Sequence, residues 1–405
     1  MAQNKKTVNK MRVPYALAVF GKEELNAIAQ VMKTPMIVPG EKVKLFEKKI
    51  AKKFAKKYGI MVNSGSSANL IALELLKLPK GSEIITPALT FGTTVSPIVQ
   101  LGLVPVFIDV EMATYQIDVS KIEKMISNKT KALMIPSLIG NIPDYQKLRK
   151  IADKYNLILI EDSCDTLGAT INGKSTGFYT DISTTSFYAS HIITTAGHGG
   201  MVCFNNDDWY TRARTLVGWG RSSAKNETES IEHRFDIEVE GVPYDSKFVF
   251  EEVGYNFQST DIDAAFGLAQ LKRFDKFAKT RKENFQILLD YFKQYEKYFI
   301  LPKQNSDVKT NWLAFPLTIK PTASFGRQEL LTYLEKSNIQ TRPLFTGNVL
   351  RQPAFKDIKL RKDPKGYPVS DQIMEYSFVV GCHQGITNKH IKYLEDRFDS
   401  FLQGK

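Results

Sequence analysis

The sequence contains few cysteines and no long apolar run, and each deficit excludes a class of protein. Its 405 residues include three cysteines, Cys164, Cys203 and Cys382, which are too few and too scattered for a disulfide framework or a site of four thiolates. No apolar run approaches the ~20 residues that span a bilayer, so we expect no membrane segment. The basic N-terminal residues precede no apolar stretch with a small-residue cleavage site, which makes the cytoplasm the expected location.

The chain carries an excess of positive charge, with a formal net charge of +12. Such a charge could indicate a nucleic-acid-binding protein. In EKVKLFEKKIAKKFAKKYG, however, the helical period places Val43, Phe46, Ile50 and Phe54 on one face. The lysines predicted to point to solvent are Lys48, Lys49, Lys52, Lys53, Lys56 and Lys57. We therefore expect a solvated face and no nucleic-acid site, although a basic surface would suit an anionic substrate.

Short apolar runs alternate with helical patterns from residue 59 to about residue 205. This alternation predicts an α/β fold with β-α-β crossovers, a mostly parallel sheet, and functional groups at the carboxyl ends of strands. A long helical stretch follows, and the remainder is typical of a smaller α+β domain. We predict a large domain over residues 1–275, with an N-terminal helical segment, and a smaller C-terminal domain over residues 276–405. The polar segment 222–250 is expected to form a functional loop or hairpin.

The segment NSGSSANLIALELL combines small residues with the start of a helix. Gly65, Ser66 and Ser67 follow a strand end, and the helix is expected to begin at about Ala68. Backbone N–H groups at a helix N-terminus, together with small hydroxyl side chains, form a good phosphate site. An ordinary serine N-cap would give the same pattern.

Two carboxylates, Asp162 and Asp165, come directly after the most hydrophobic strand, in LILIEDSCDTLGA. A carboxylate there is costly without a cationic partner, and no nearby lysine or arginine supplies one. A protonated ring nitrogen of a ligand would serve, or Asp162 could cap the next helix. Phe91 could cover a planar ligand or belong to the core, and Asn256 could cap a helix or reach a phosphate.

A single histidine, His191, follows the strand-like run in TTSFYASHIITTAGHGG. With the motifs above, in this order along nearly the whole chain, the sequence resembles the DegT/DnrJ/EryC1/StrS family of sugar aminotransferases. The resemblance implies the aspartate-aminotransferase-like architecture of PLP fold type I and pyridoxal 5′-phosphate (PLP) as cofactor. It implies that Asp162 pairs with the pyridinium nitrogen, that Asp165 approaches the phenolic oxygen and that Phe91 stacks on the ring. The residues it assigns to the phosphate are Gly65, Ser66, Ser67 and Ser186, with Asn256 arriving from the other subunit of a homodimer.

His191 occupies the position at which the aminotransferases of this family have the lysine that binds the cofactor covalently. Imidazole cannot form that bond, but it carries protons near neutral pH. The substitution resembles the sugar 3-dehydratase branch of the family, of the colitose type. That branch uses pyridoxamine 5′-phosphate (PMP) to remove the C3 hydroxyl from a nucleotide-linked 4-keto-6-deoxyhexose, with GDP the favoured nucleotide, in 3,6-dideoxysugar biosynthesis for surface polysaccharides. L-Glutamate then regenerates PMP, and Ser190 is expected to orient His191. Arg342 could bind a carboxylate or phosphate, or it could serve surface solubility.

Other dehydratases of this family carry an iron–sulfur cluster on cysteines that follow a WGR segment. Here that segment reads WGRSSAKNETESIEHRF and contains no cysteine, so we expect no cluster and no metal site. Two alternatives stay open, namely a sugar aminotransferase with an unusual base and a noncatalytic PLP-binding protein. The sequence assigns no role to His198, while His233 and His383 could be structural or belong to the site.

Overall fold

The computed structural model describes residues 11–35, 37–225 and 234–405. Within these ranges, the helices are α1 (Lys22–Val31), α2 (Glu41–Lys53), α3 (Gly65–Glu74), α4 (Gly92–Gln100), α5 (Tyr145–Lys154), α6 (Asp207–Val217), α7 (Asp261–Lys272), α8 (Phe274–Phe292), α9 (Arg327–Lys336), α10 (Pro368–Tyr376) and α11 (Asn388–Leu402). The strands are β1 (Tyr58–Val62), β2 (Glu83–Pro87), β3 (Val104–Ile108), β4 (Thr130–Pro136), β5 (Ile158–Asp162), β6 (Thr170–Ile171), β7 (Lys174–Ser175), β8 (Ile182–Ser186), β9 (Gly200–Phe204), β10 (Ile237–Val239), β11 (Val242–Tyr244), β12 (Phe299–Ile300), β13 (Val308–Lys309), β14 (Phe315–Ile319), β15 (Arg342–Pro343) and β16 (Ser377–Val380).

A seven-stranded sheet of order β1-β9-β8-β5-β4-β2-β3 lies at the centre of the larger part. Strand β9 pairs antiparallel with both neighbours, and the pairs from β8 to β3 are parallel. Both faces of the sheet are buried, as β4 illustrates. Ala132 and Met134 join one hydrophobic cluster, whereas Leu133 and Ile135 join the cluster on the opposite face. Alternate side chains of a strand point to opposite faces, so a continuous apolar run produces this two-sided burial.

The C-terminal region forms a separate four-stranded antiparallel sheet of order β12-β14-β16-β15. Its hydrophobic cluster also contains Val13, which forms a parallel bridge with Ile339. Helix α8 connects the two regions, because Phe277 packs against the first part of the chain and Phe292 against the C-terminal cluster. The division at residue 275 lies within the first turn of α8, and it stays a prediction.

Two local expectations are wrong. Helix α3 begins at Gly65, with Ser64 as its N-cap, and not at about Ala68. Lys56 does not point to solvent: it is buried, and its Nζ donates to the carbonyl of Thr180. Helix α2 ends at Lys53, and Ala55 adopts a positive φ of 53°, so the chain turns and the helical period no longer applies.

In the polar segment 222–250, β10 and β11 form an antiparallel hairpin, as predicted. Residues 226–233, including His233, lie outside the described residues. No helix in the described ranges has both the length and the apolar character that a membrane crossing requires.

Candidate active site

A cavity of about 630 Å³ lies at the carboxyl ends of the parallel strands, where the C-terminal region meets the large sheet. This volume suits a cofactor together with part of a substrate. The predicted site residues that line it are Gly65, Ser66, Phe91, Asp162, Asp165, Ser186, Ser190, His191 and Arg342. Parallel strands end at the same edge of a sheet, which is why residues so far apart in sequence meet there.

One end of the cavity is formed by the first turn of α3. The Ser64 side chain accepts a hydrogen bond from the Ser67 N–H at 3.0 Å and caps the helix. The first N–H groups of a helix lack intrahelical acceptors, so this turn can bind an anion. A Cβ atom at Gly65 would lie 2.7 Å from Cys164 Sγ and 2.7 Å from Ser186 Cβ. Glycine is therefore required for the close approach of this turn to β8, and the arrangement fits a phosphate group.

Ser67 and Asn256 are not among the described residues that line the cavity. The Ser67 hydroxyl is turned back and donates to Asn63 Oδ1 at 2.7 Å. Asn256 is exposed and forms an isolated bridge with Gly218. Their assignment to the phosphate stays a prediction, which for Asn256 concerns the partner's site.

Asp162 ends β5 and is held by neutral donors. Its Oδ2 accepts hydrogen bonds from Asn69 Nδ2 at 2.8 Å and from Thr94 Oγ1 at 2.8 Å. Its Oδ1 accepts the Cys164 N–H at 3.2 Å. Turns, and no α-helix, follow Asp162, so it does not cap a helix. Among the salt bridges of the described residues none includes Asp162, which leaves its charge available to a cationic ring nitrogen in the cavity.

His191 and Asp165 face each other, with 3.9 Å between His191 Nε2 and Asp165 Oδ1. Burial, followed by the nearby Arg281 guanidinium, lowers the pKa of His191 to about 4. Burial raises the pKa of Asp165 to about 8, although the Ile139 N–H donates to its carboxyl group at 2.8 Å. Both groups are therefore neutral near pH 7. In the described part of the chain, the buried Nδ1 of His191 has no hydrogen-bond partner.

Replacement of Asp165 by asparagine is expected to flatten the pH dependence of stability of the cofactor-free protein. Because the carboxyl pKa is raised to about 8 from about 3.9 in an unfolded chain, the folded state binds more protons between these values. The contribution of this carboxyl group to the stability of the folded state is thus fully present below about pH 4 and is lost as the pH rises through about 8. Between about pH 5 and about pH 8, the melting temperature of Asp165→Asn should fall less than that of the wild type. Parallel pH curves for the two proteins would contradict the assignment.

Aromatic and cationic side chains form the cavity mouth. The Phe91 ring is 51% exposed and meets Phe345 edge to face, with 6.0 Å between ring centroids. The Arg342 guanidinium lies 5.8 Å from the ring centroid of Tyr15 and donates to the Thr341 carbonyl at 2.7 Å. Phe91 can therefore cover a planar ring, and Arg342 can meet an anionic group.

Several residues of this site were not predicted. Asn69, which holds Asp162, is a polar position at the start of the apolar run 70–73, and that anomaly is a usable signal, whereas Thr94 stands among other polar residues of α4. Tyr15 and Phe345 gave no such signal, because they reach the cavity from distant segments.

His198 lies outside the lining: it is half-exposed, and its Nε2 is 3.5 Å from Asp263 Oδ1. His383 is buried and contacts the Pro14 carbonyl at 3.1 Å through Nε2, a structural role. In the described ranges, no group of three or more histidine, cysteine, aspartate or glutamate residues could hold a metal ion.

Comparison with known proteins places this site in a family. The model of the "DegT/DnrJ/EryC1/StrS aminotransferase family" matches residues 19–398. Lipopolysaccharide biosynthesis protein RfbH of Salmonella typhimurium is 38% identical over 96% of this chain and 92% of its own. GDP-4-keto-6-deoxy-D-mannose 3-dehydratase of Yersinia pseudotuberculosis is 31% identical over 94% of this chain and 96% of its own. GDP-perosamine synthase of Escherichia coli O157:H7 is 30% identical over 96% of this chain and 98% of its own.

Solved structures agree with the sequence comparison. Two crystal structures of GDP-4-keto-6-deoxymannose-3-dehydratase each match with a TM-score of 0.86 and 29% identity over 95% of this chain and 99% of theirs. One is a histidine-to-asparagine mutant with bound GDP-perosamine, and the other contains a trapped PLP-glutamate geminal diamine. The predicted aspartate-aminotransferase-like α/β fold is confirmed. The chain belongs to the DegT/DnrJ/EryC1/StrS aminotransferase family, and PLP is its cofactor.

Proposed function

We propose that this protein removes the C3 hydroxyl group of a nucleotide-linked 4-keto-6-deoxyhexose, with PMP as cofactor and L-glutamate as the donor that regenerates it. The observation that carries the proposal is the neutral imidazole of His191 in the cavity, together with the lack of any lysine among the described lining residues. Such a site provides a base but no lysine that could bind the cofactor covalently. The dehydratase relatives support a nucleotide-linked sugar as substrate, and GDP is proposed because two of these three are named for a GDP-linked sugar.

The lining residues fit the cofactor. The α3 turn with Gly65, Ser66 and Ser186 would hold the phosphate group, Asp162 the protonated ring nitrogen, and Phe91 a ring face. Bound PMP supplies an amine that condenses with a ketone and a ring that accepts electrons from carbon. The proposed homodimer would add Asn256 from the partner subunit, and the cytoplasmic location stays a prediction.

His191 is proposed to move the protons of the reaction. Its neutral imidazole can accept a proton at Nε2, which lies 3.9 Å from Asp165 Oδ1. The same nitrogen can return the proton to the departing C3 hydroxyl group, since general acid catalysis requires only that the two groups lie within hydrogen-bond reach. Ser190, adjacent in the turn and also on the cavity wall, is placed to orient the substrate or the imidazole.

Arg342 is proposed to bind the carboxylate of glutamate at the cavity mouth, where a guanidinium can form a bidentate pair. In the overall reaction, glutamate is oxidised to 2-oxoglutarate, its nitrogen leaves as ammonia, and the sugar loses one oxygen atom. No outside reductase is required for this balance, in agreement with the expectation that the protein has no iron–sulfur cluster.

The test is incubation of the protein with PLP, L-glutamate and a panel of nucleotide-linked 4-keto-6-deoxyhexoses. We expect a sugar product lighter by one oxygen atom, with equal amounts of 2-oxoglutarate and ammonia, measured by mass spectrometry and coupled assays. An amino sugar that retains its C3 hydroxyl, formed without ammonia, would show an aminotransferase instead. No turnover of any sugar, despite bound PLP, would favour the noncatalytic alternative.

A further inference from the structure

Arg281, on α8, is a fully buried cation without a carboxylate partner among the described residues. Its guanidinium donates to Gln384 Oε1 at 2.6 Å and to the carbonyls of Trp312 and Leu313 at 2.9 and 3.1 Å. A further N–H donates to the His191 carbonyl at 3.2 Å. A buried charge is costly unless it is paired, so a neutral residue would be the ordinary choice for a purely structural position.

The same cluster reaches the His191 turn by a second route. Gln384, which accepts from Arg281, donates through Nε2 to the Ile192 carbonyl at 3.3 Å. Two consecutive carbonyls of the turn are thus held by two side chains that also contact each other. Leu313, whose carbonyl Arg281 binds, lines the cavity itself. The guanidinium therefore fixes the imidazole-bearing turn relative to the part of the cavity wall formed by Leu313.

We propose that Arg281 and Gln384 are positioning residues for His191, which hold its turn from behind the cavity and place a permanent positive charge next to the imidazole. This inference rests on the catalytic role proposed for His191. The planar fork of arginine binds several carbonyls at once, which a lysine cannot reproduce. Because a positive charge disfavours a second one nearby in a site of low polarity, Arg281 also favours the neutral, proton-accepting imidazole.

Other charged and titratable groups face His191 and have to be considered in any pH experiment. Asp165 lies closest, with 3.9 Å between its Oδ1 and the imidazole Nε2. The remaining groups that line the same cavity are Tyr15, Asp162, Cys164, Tyr188 and Arg342. Arg281 differs from all of these because it approaches from α8 and is absent from the described cavity lining. Its replacement therefore changes the charge near His191 without substituting a residue that lines the cavity.

The test compares Arg281→Gln, Gln384→Ala and, as a charge control, Lys279→Gln, which removes an exposed lysine from the same helix. Turnover is measured against pH, and the histidines of the holoenzyme are titrated by NMR after isotope labelling. The protein has five histidines, and the His191 signal is assigned by its absence in His191→Asn. For Arg281→Gln we expect kcat to fall about a hundredfold with KM unchanged, and the His191 pKa to rise by about 1.

Gln384→Ala retains the charge, so we expect it to lower kcat without moving the His191 titration. If Arg281→Gln does not fold, Gln384→Ala still tests the positioning role, because Gln384 is only partly buried and its replacement should be tolerated. Folded variants with wild-type kcat and titration would overturn the inference, and so would a rise in KM with kcat unchanged. A wild-type protein that forms amino sugars would overturn the proposed function instead, while the NMR titration would still report whether Arg281 acts on His191.

Discussion

His191→Asn is expected to lower kcat for C3 deoxygenation by about 10³-fold, with little change in PLP affinity. General acid–base catalysis by a positioned side chain contributes about 10²- to 10⁴-fold, and asparagine cannot accept a proton. The change preserves polarity at a side chain that is 14% exposed. Binding should persist, since Asp162, the α3 turn and Phe91 are unchanged. Turnover by mass spectrometry and PLP titration by absorbance measure the two effects separately.

The matched control for this experiment is His390→Asn. His390 is half-buried, lies in the first turn of α11 and contacts Thr387, and it does not line the cavity. This control should retain wild-type turnover. If His191→Asn also retained it, His191 would not be the base, and a general loss of activity in both variants would indicate a folding defect.

Asp162→Asn is expected to weaken cofactor binding by roughly 10²- to 10³-fold and to lower kcat as well. Loss of one partner from a buried charge pair costs about 2–5 kcal/mol, and the asparagine carbonyl can still accept the bonds from Asn69 and Thr94. The substitution thus removes the charge while it preserves the shape of the site. PLP affinity is measured by absorbance or fluorescence titration, and turnover is measured at saturating PLP.

Glu161→Gln is the control for Asp162→Asn, because Glu161 precedes Asp162 on β5 and points to the other face of the sheet. Its carboxylate accepts from Ser163, Thr180 and Ser183, none of which lines the cavity. We expect Glu161→Gln to lower the melting temperature and to retain PLP affinity. Equal losses of PLP affinity in both variants would show that Asp162 acts only through the stability of the strand.

Local sequence patterns predicted those site residues that lie at the ends of strands. Asp162 and Asp165 follow an apolar run and His191 follows a strand-like run, and parallel strands bring their carboxyl ends to one edge. The choice among neighbouring serines was not predictable, because each is an acceptable N-cap. Packing against β8 selected Ser64, and the helix therefore began three residues earlier than expected and turned the Ser67 hydroxyl away from the cavity.

The sequence by itself determined the α/β architecture through its periodicity. The resemblance of its motifs, in chain order, to those of the family determined the family, the cofactor and the histidine that replaces the expected lysine. Only the tertiary structure decided that Tyr15 reaches the cavity and that Arg281 and Gln384 hold the His191 turn, because these contacts join residues about 90 positions or more apart. It alone decided the protonation states of His191 and Asp165. Burial and neighbouring charge set those pKa values, and neither is present until the chain is folded.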